Sequence, residues 1–391
     1  MRHIVILWDY YQHYHLARLR ALRAAGMAQG WEVFGLAAGA SGAARDSHVA
    51  IISAAADSPE VLDGPAGGVN SPSTAVRFAE WLEVHRPDAV ILPGYANRVA
   101  RTGLRWCWRN RKGAVLMFET QERDLRRSWY KELVKRFLVA QADAVFGGGK
   151  PHLAYARKLG MPAERCFDGY DVVDNEFWRV TAGASRAGAA NEHEPYFFAV
   201  GRFIEKKNFP GLIRAFAAFR RLPGHEAWRL VIAGDGPERP RIEAEIAAAG
   251  LGNAVVLPGY LDAESSARWY GRATAFIMPS SHEEQWGLVV NEAMAAGTPV
   301  IVSDSCGCVP DLIDDGMTGL LFSPQRPETL IEAMARMADS AELRSRLAAS
   351  AAQRIDYYSP ARFATQALAA CECASWAGAR RSRLPWTMLR Y

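Results

Sequence analysis

Two glutamates in one segment of the chain are the residues best suited to chemistry. Glu284 and Glu292 lie in SSHEEQWGLVVNEAMAAGTPV, which runs from Ser280 to Val300. Gly287 predicts the start of an apolar helix, so Glu284 comes just before the helix and Glu292 about one turn inside it. A carboxylate in an apolar helix is costly unless hydrogen-bond donors surround it, and ribose hydroxyls are suitable donors. Taken alone, either glutamate is better explained as an exposed residue or as a partner of a lysine.

The start of the same helix predicts an anion site. The first amides of a helix have no partner within the helix and lie at the positive end of its dipole. The amides concerned are those of Gly287, Leu288 and Val289. A phosphate group is therefore expected beside the two glutamates.

Two cations follow a predicted strand in the same half of the chain. The strand Tyr196–Val200 leads into GRFIEKKN, in which Arg202 leaves the strand end and Lys207 precedes the next helix. A guanidinium that contacts two oxygens and an ammonium group beside it suit a diphosphate. A solvated basic loop is the alternative when this segment is considered alone. The neighbouring glutamates and helix start favour the diphosphate.

Two further turns have simpler explanations. The segment AGDGP (Ala233–Pro237) is typical of a tight strand-to-helix turn, where Asp235 and Gly236 need no role in binding. The turn that ends at Tyr260 could form a wall for a nucleobase, with its backbone rather than its side chains in contact. Neither turn identifies a ligand without the glutamates and cations.

A framework of parallel strands and helices must position these residues. In the first half, short apolar runs alternate with amphipathic ones, which predicts a parallel sheet covered on both faces. The predicted strands are His3–Trp8, Glu32–Ala37, Val49–Ala54, Ala89–Leu92, Ala114–Glu119 and Ala142–Phe146, and the predicted helices include Tyr14–Ala25, Thr74–His85 and Trp129–Ala140. The second half repeats the pattern with strands Tyr196–Val200, Arg229–Ala233, Ala254–Leu257, Ala275–Met278, Val300–Val302 and Gly319–Phe322.

The fold class is therefore α/β, with two doubly wound parallel-sheet domains that face each other across a cleft. Residues 1–180 are expected to form the first domain and residues 196–360 the second. Residues 181–195, rich in Ala and Gly, are expected to be a linker, and the last segment, about 361–391, to return to the first domain. Ligands of such sheets bind at the carboxyl ends of the strands, which here border the cleft.

The bulk composition excludes several other classes. Of the 391 residues, 50% are hydrophobic and 23% are charged, which is typical of a globular protein, and a net charge of +4 is too small to indicate nucleic acid. No apolar run has the roughly 20 residues that a membrane span needs, and the start MRHIVIL predicts a strand rather than a signal peptide. The six cysteines, which include two C-x-C pairs, do not form a zinc pattern and favour a reducing, cytoplasmic setting.

The second half resembles glycosyltransferase family 4, whose members are retaining enzymes of the GT-B fold. The similar segments are GRFIEKKN (Gly201–Asn208), AGDGP (Ala233–Pro237) and EQWGLVVNEAMAAGTPV (Glu284–Val300). The last contains the family's signature of two glutamates separated by seven residues. The resemblance is dense from Tyr196 to Ser323, and GYDVVDNEF (Gly169–Phe177) resembles the family's segment before the linker.

The resemblance implies transfer of a sugar from a nucleotide diphosphate sugar, with UDP or GDP as the carrier, to a hydroxyl of a saccharide or lipid-linked saccharide. Arg202 and Lys207 would bind the diphosphate, Glu292 the ribose and Glu284 a hydroxyl of the transferred sugar. Arg202, Lys207 and Glu284 are thus the catalytic candidates, while Glu283 lacks the seven-residue spacing. The donor-binding candidates are Arg202, Lys207, Gly236, Tyr260, Gly287, Leu288, Val289 and Glu292. No cofactor, metal or protein nucleophile is expected, and the chain has no D-x-D motif.

The first half departs from the family at two places. A Gly-Gly loop is common after the first strand, but this chain has WDYYQHYH (Trp8–His15), and no histidine follows the strand before Glu119 and Thr120. These positions supply the acceptor-side candidates, namely Trp8, Tyr11, His13, His15, Glu119 and Thr120. The two histidines are expected to line the pocket or the surface rather than to bind a metal.

Three rival functions have to be compared with this interpretation, and docking on a membrane is a separate question. A nucleotide-sugar epimerase or hydrolase shares the two-domain cleft, and a non-catalytic sugar-nucleotide-binding scaffold shares the binding residues. A dinucleotide-dependent oxidoreductase requires G-x-G-x-x-G after an early strand, which this chain lacks. The basic residues of Trp129–Ala140 could dock on the inner face of an anionic membrane, although an ordinary amphipathic helix with a basic solvent face is the simpler interpretation.

Overall fold

The computed structural model describes residues 1–39, 58–64, 67–124, 128–188, 194–282 and 284–379. The predicted strand Val49–Ala54, the competing Glu283 and the tail Arg380–Tyr391 lie outside the described residues.

The first sheet has seven parallel strands in the order β3-β2-β1-β4-β5-β6-β7. Their bounds are β1 Arg2–Trp8, β2 Trp31–Ala37, β3 Glu60–Val61, β4 Ala89–Leu92, β5 Gly113–Phe118, β6 Ala144–Gly147 and β7 Cys166–Phe167. The central strands are buried on both faces, which explains their continuous apolar sequence. The strand order reverses between β1 and β4, and a ligand crevice is expected at such a point.

The second sheet has six parallel strands in the order β10-β9-β8-β11-β12-β13. Their bounds are β8 Tyr196–Val200, β9 Arg229–Ala233, β10 Val255–Val256, β11 Ala275–Met278, β12 Val300–Ser303 and β13 Leu320–Phe322. Here the order reverses between β8 and β11, and the predicted cations and glutamates follow these two strands.

Helices cover both faces of both sheets. Those around the first sheet are α1 His13–Ala28, α2 Pro72–His85, α3 Arg98–Asn110, α4 Trp129–Val139 and α5 Lys150–Lys158. The later ones are α6 Asn175–Ala187, α7 Phe209–Phe219, α8 Arg239–Ala248, α9 Ala263–Arg272, α10 Leu288–Ala295, α11 Val309–Leu312, α12 Pro327–Asp339, α13 Ala341–Tyr357 and α14 Pro360–Ala379. In the described part of the chain, no helix is both long and apolar enough to cross a bilayer.

The long helix α14 packs on the first sheet rather than on the second. A Cβ atom on Gly113 of β5 would lie 2.6 Å from the backbone nitrogen of Ser375, and one on Gly378 would lie 2.7 Å from the Lys112 carbonyl oxygen. These two glycines allow the helix and the strand to touch through their backbones. Helix α14 therefore completes the layer over the N-terminal sheet.

The expectation of a linker over residues 181–195 is wrong for its first part, because α6 occupies residues 175–187. The helix begins at Asp174, whose side chain accepts a hydrogen bond from the Phe177 amide. Its small residues permit close packing on the second domain, where a Cβ atom on Gly271 would lie 2.3 Å from the Ala182 carbonyl oxygen. Small side chains thus serve helix packing here, not chain flexibility.

Candidate active site

Lys207 and Glu284 form a buried ion pair at the carboxyl edge of the second sheet. Lys207 Nζ lies 2.6 Å from Glu284 Oε2, and the two side chains are 11% and 10% exposed. Ser280 donates a hydrogen bond to the same carboxylate oxygen at 2.9 Å. Burial raises the pKa of Glu284, but the Lys207 charge and hydrogen bond outweigh it, so the pKa lies below the usual value. Glu284 is therefore an anion whose position Lys207 fixes.

Glu292 lies within α10 in a different environment. Tyr270 donates a hydrogen bond to its Oε2 at 3.2 Å, and His13 Nε2 lies 3.8 Å from its Oε1. Burial raises the pKa of Glu292 to about 8, and the Tyr270 hydrogen bond only partly opposes this shift. The two glutamates therefore differ in charge near neutral pH. The alternative of a lysine partner holds for Glu284 but not for Glu292.

Arg202 lies beside Lys207 on the loop after β8. The Lys207 stem passes Gly201, where an added Cβ atom would lie 3.5 Å from Lys207 Cε. The Arg202 side chain is exposed, and within the described residues no hydrogen bond or ion pair engages its guanidinium group. The two cations thus lie on one loop. Lys207 is paired with Glu284, and Arg202 has an exposed side chain.

The turn after β9 packs tightly on this loop. A Cβ atom on Gly234 would lie 1.9 Å from the Gly201 carbonyl oxygen, and one on Gly236 would lie 2.6 Å from the Phe203 carbonyl oxygen. Gly236 is therefore required for packing whatever it binds. The Gly234 amide donates a hydrogen bond to the Gly259 carbonyl oxygen. Tyr260, the next residue in the chain after Gly259, is 54% exposed.

Helix α10 begins as the sequence predicts. Gly287 has φ of +101°, a left-handed conformation that favours glycine, and its carbonyl accepts a hydrogen bond from the Val290 amide. Leu288 and Val289 form the first turn, one helical turn ahead of Glu292. The helix start, the ion pair and Glu292 thus lie on one continuous segment.

A cavity of about 470 Å³ lies at the carboxyl edge of the first sheet, facing this segment. Its first-domain wall includes Trp8, Asp9, Tyr14, His15, Arg18, Tyr95, Glu119, Thr120, Tyr170 and Asp171, and its second-domain wall consists of Gln285 and Leu288. The cavity therefore spans the cleft and adjoins the segment that carries Glu284.

Four of the six acceptor-side candidates line this cavity, namely Trp8, His15, Glu119 and Thr120. Tyr11 was wrongly expected there. It is 4% exposed and lies in the core, because Gly35 leaves room for its hydroxyl group. His13 is also absent from the lining and lies beside Glu292 instead. Burial keeps the pKa of His15 well below its usual value, so this cavity histidine is neutral.

A cluster of charges lies at the floor of the cavity. Arg18 and Asp171 are each 1% exposed, with Arg18 Nη2 3.7 Å from Asp171 Oδ1 and also bonded to the Val172 carbonyl. Burial and the neighbouring Glu119 carboxyl group raise the pKa of Asp171 well above its usual value. Glu119 is exposed to the cavity, where the surrounding protein atoms limit its hydration and raise its pKa as well. Two acidic groups near one arginine favour a shared proton.

The sequence did not indicate the residues that hold the Glu284 segment from the first domain. Gln121 Nε2 donates hydrogen bonds to the carbonyl oxygens of Glu284 at 3.1 Å and Gln285 at 2.7 Å. His152 Nε2 lies 3.1 Å from the Gln285 carbonyl oxygen, and burial lowers the pKa of His152 to about 4, so its neutral ring donates there. A single amide in a loop, or a single histidine in a short helix, carries no sequence pattern that would reveal such contacts.

Comparison with solved structures defines the fold. Sucrose-phosphate synthase from Thermosynechococcus elongatus has a TM-score of 0.72 and 22% identity, over 94% of this chain and 97% of that one. HepE of Anabaena, in complex with UDP and glucose, has a TM-score of 0.73 and 16% identity, over 94% and 98%. The predicted GT-B fold is thereby confirmed.

Comparison of sequences identifies the family. Residues 183–354 match the family model of the glycosyl transferases group 1. Alpha-D-kanosaminyltransferase of Streptomyces kanamyceticus is 34% identical over 200 residues, which are 50% of this chain and 51% of that protein. The chain spans about half or less of the length of the first curated relatives that it matches. The resemblance inferred from the motifs is confirmed.

Proposed function

We propose that this protein is a retaining glycosyltransferase that moves a sugar from a nucleotide diphosphate sugar to an acceptor hydroxyl. The observation that carries the proposal is that Glu284, paired with Lys207, lies directly before the residues Gln285 and Leu288 that line the first-domain cavity. A donor sugar held at this pair would lie at the mouth of a pocket able to hold the acceptor.

On the donor side, Arg202 and Lys207 would bind the diphosphate together with the amides that begin α10. Glu292 would accept a hydrogen bond from a ribose hydroxyl, and Glu284 would accept one from a hydroxyl of the transferred sugar. The cations and the helix dipole would stabilise the negative charge that grows on the departing diphosphate, which is a preorganised electrostatic role. We propose no protein nucleophile and no metal requirement. The UDP in the HepE complex supports UDP as one candidate nucleotide.

On the acceptor side, the cavity offers aromatic walls for a sugar ring and acidic groups for its hydroxyls. Trp8 and Tyr95 supply the aromatic surface, and Glu119 and Asp171 supply the acceptors of hydrogen bonds. We infer a saccharide or lipid-linked saccharide acceptor, as in polysaccharide or glycoconjugate synthesis. We propose a cytoplasmic site of action, at the inner face of a membrane. None of the six cysteines, all of which the structure describes, forms a disulfide, which accords with a reducing setting.

A thermal-shift panel with UDP, GDP, ADP and their sugars tests the donor half. A ligand that binds only the folded state raises the melting temperature, by an amount that grows with its concentration over its Kd. We expect one nucleotide to stabilise the protein and Glu292→Ala to remove that effect without loss of the fold. If no nucleotide raises the melting temperature, the transferase proposal fails.

Product analysis tests the reaction. With the stabilising donor and an acceptor saccharide, the anomeric proton coupling in the NMR spectrum reports whether configuration is retained. Release of free sugar without an acceptor would indicate a hydrolase. Binding of the nucleotide sugar without turnover would indicate a non-catalytic scaffold. Undiminished activity in a chelating buffer is expected, and a loss that Mg²⁺ or Mn²⁺ restores would refute metal independence.

A further inference from the structure

Helix α4 exposes an unusual number of large apolar side chains. Of its eleven residues only Val139 is buried. The apolar face consists of Trp129 at 77% exposure, Tyr130 at 54%, Leu133 at 54%, Val134 at 58% and Phe137 at 44%. Exposed apolar residues that occur singly need no explanation, but five on one short helix form a contiguous patch, which marks an interaction site.

The polarity of α4 is the reverse of that of an ordinary surface helix. At about 100° per residue, the five apolar positions fall within an arc of about 140°. The opposite side carries Glu132 and Lys135, which are paired at 3.0 Å, and Tyr155 of α5 donates to Glu132 at 2.8 Å. The charged pair faces the protein and the apolar face points outward. An ordinary amphipathic helix with a basic solvent face is therefore the wrong description.

Cations border the apolar face on both sides. Lys131 and Arg136 are exposed, and on the helical wheel they lie beyond opposite edges of the arc. Both could extend their ammonium or guanidinium groups to the level of an anionic surface while the apolar side chains enter it. Trp129 and Tyr130 at the helix start are amphipathic side chains that favour a water–lipid boundary.

Helix α3 extends this positive region. The side chains of Arg98, Arg101, Arg105 and Arg109 are exposed along one side of α3. Val99 and Leu104 of α3 and Val139 of α4 are buried in the same core cluster, so the two helices cover the same face of the first sheet. The connections β4-α3-β5 and β5-α4-β6 advance in the same direction, which places both helices on one side.

We infer that the outer surface of α3 and α4 docks on an anionic lipid bilayer, with the apolar face of α4 inserted at the headgroup level. The surface combines an outward apolar arc with flanking cations and a neighbouring row of arginines. Such a surface is complementary to a lipid bilayer with anionic headgroups. Trp129 follows cavity-lining Thr120 by nine positions, so only a short length of chain separates the docked helix from the acceptor cavity. The inference stands on exposure and charge and does not depend on the proposed transferase activity.

Co-sedimentation of the full chain with vesicles tests the inference. We expect binding to equimolar phosphatidylglycerol and phosphatidylcholine at low salt to exceed binding to pure phosphatidylcholine by about tenfold or more. Because surface charges are screened, this preference should shrink at high salt. Equal binding to the two vesicle types at low salt would overturn the inference.

Two double variants separate the apolar and the electrostatic contributions. Val134→Glu with Phe137→Glu should reduce partitioning about tenfold or more, and Lys131→Glu with Arg136→Glu should reduce it on anionic vesicles only. The matched controls in the second domain are Met317→Glu, at a residue 65% exposed, and Arg241→Glu, at a side chain 60% exposed. Both controls should bind as the parent does.

Melting temperatures first establish that each variant is folded. If the apolar variant does not fold, the charge variant decides. Unchanged vesicle binding in the folded variants refutes the docking surface. A parent protein that ignores vesicles but forms a dimer, which Val134→Glu with Phe137→Glu disperses in size-exclusion chromatography, would show that α4 is a protein interface instead.

Discussion

Lys207 and Glu284 hold each other in one ion pair, although the motifs predict a phosphate partner for the first and a sugar hydroxyl for the second. Their side chains come from the loop after β8 and the loop after β11, the two strands between which the order of the second sheet reverses. The phosphate side and the sugar side of the candidate site are therefore joined by one ion pair. A substitution at either residue should change the position and charge balance of the other.

Removal of Lys207 should destabilise the fold strongly. Lys207→Met leaves the buried Glu284 carboxylate without its counter-charge, and loss of one partner of a buried pair costs about 3–5 kcal/mol. Glu284→Gln in the same chain should restore most of the loss, because no charge then remains unpaired. The free energy of unfolding in urea measures both effects.

The control for this pair is Arg239→Met, which breaks the ion pairs of Arg239 with Glu243 and Asp235, whose side chains are 52% and 63% exposed. Exposed pairs contribute about 0–1 kcal/mol, so the control should change stability little. Equal losses of unfolding free energy in Lys207→Met and Arg239→Met would show that the buried pair contributes no more to stability than an exposed pair.

Glu292 should make the stability of the protein depend on pH. Burial raises its pKa from the usual 4.5 to about 8, so the folded state binds a proton that the unfolded state releases. The free energy of stabilisation from this bound proton is fully present below the ordinary glutamate pKa and is lost as the pH rises through about 8. Glu292→Gln removes the titration, so its melting temperature relative to the parent should rise between about pH 5 and about pH 9.

Glu264→Gln is the matched control, because Glu264 is exposed and, among the described residues, forms an ion pair only with Arg268 of its own helix. Its melting temperature should track that of the parent at every pH. A constant difference between Glu292→Gln and the parent across this range would contradict a raised pKa for Glu292.

Gln121 should act as a positioning residue for Glu284. Gln121→Ala deletes two hydrogen bonds to the backbone of the Glu284 segment, each with a net value of about 1 kcal/mol. We expect kcat to fall about tenfold while the KM for the donor changes little, because the segment still forms but is less well held. Gln325→Ala, at an exposed loop residue, is the control. A fall in stability without a change in kcat would assign Gln121 a structural role only.

Gly307 should tolerate no side chain. A Cβ atom there would lie 1.7 Å from the Gln285 carbonyl oxygen and 2.5 Å from Gln121 Nε2, so the backbone must shift in Gly307→Ala. Such overpacking costs about 1–3 kcal/mol. In contrast, Gly183→Ala in α6 meets nothing within 4 Å and should stabilise the protein by about 0.5–1 kcal/mol. Opposite shifts in melting temperature are the expected result.

Much of the framework could be predicted because buried parallel strands are short, continuous apolar runs. Ala89–Leu92 and Arg229–Ala233 match their predicted bounds. The edge strands Glu60–Val61 and Cys166–Phe167 have two residues each, too few for any periodicity. Helix α6 was missed because Ala and Gly indicate flexibility in sequence but permit close helix packing in three dimensions.

For the site, the sequence could indicate residue types but not partners. The spacing of Glu284 and Glu292 follows from one helix, so it is visible in one segment. The contact of Glu292 with His13 and that of Glu284 with Gln121 join distant parts of the chain, and only the folded arrangement reveals them. Tyr11 lies next to cavity residues in sequence, yet the direction of its side chain takes it into the core.

Asn175 has a consequence for how the two domains move. Its side-chain amide donates to the carbonyl oxygens of Ile355 at 2.9 Å and Tyr358 at 3.2 Å. The chain passes from the first domain to the second beside Asn175, where α6 begins, and returns beside Tyr358, just before α14. These hydrogen bonds hold the two crossings side by side. We expect any movement between the domains to be a rotation about the joined crossings rather than a sliding of one domain past the other.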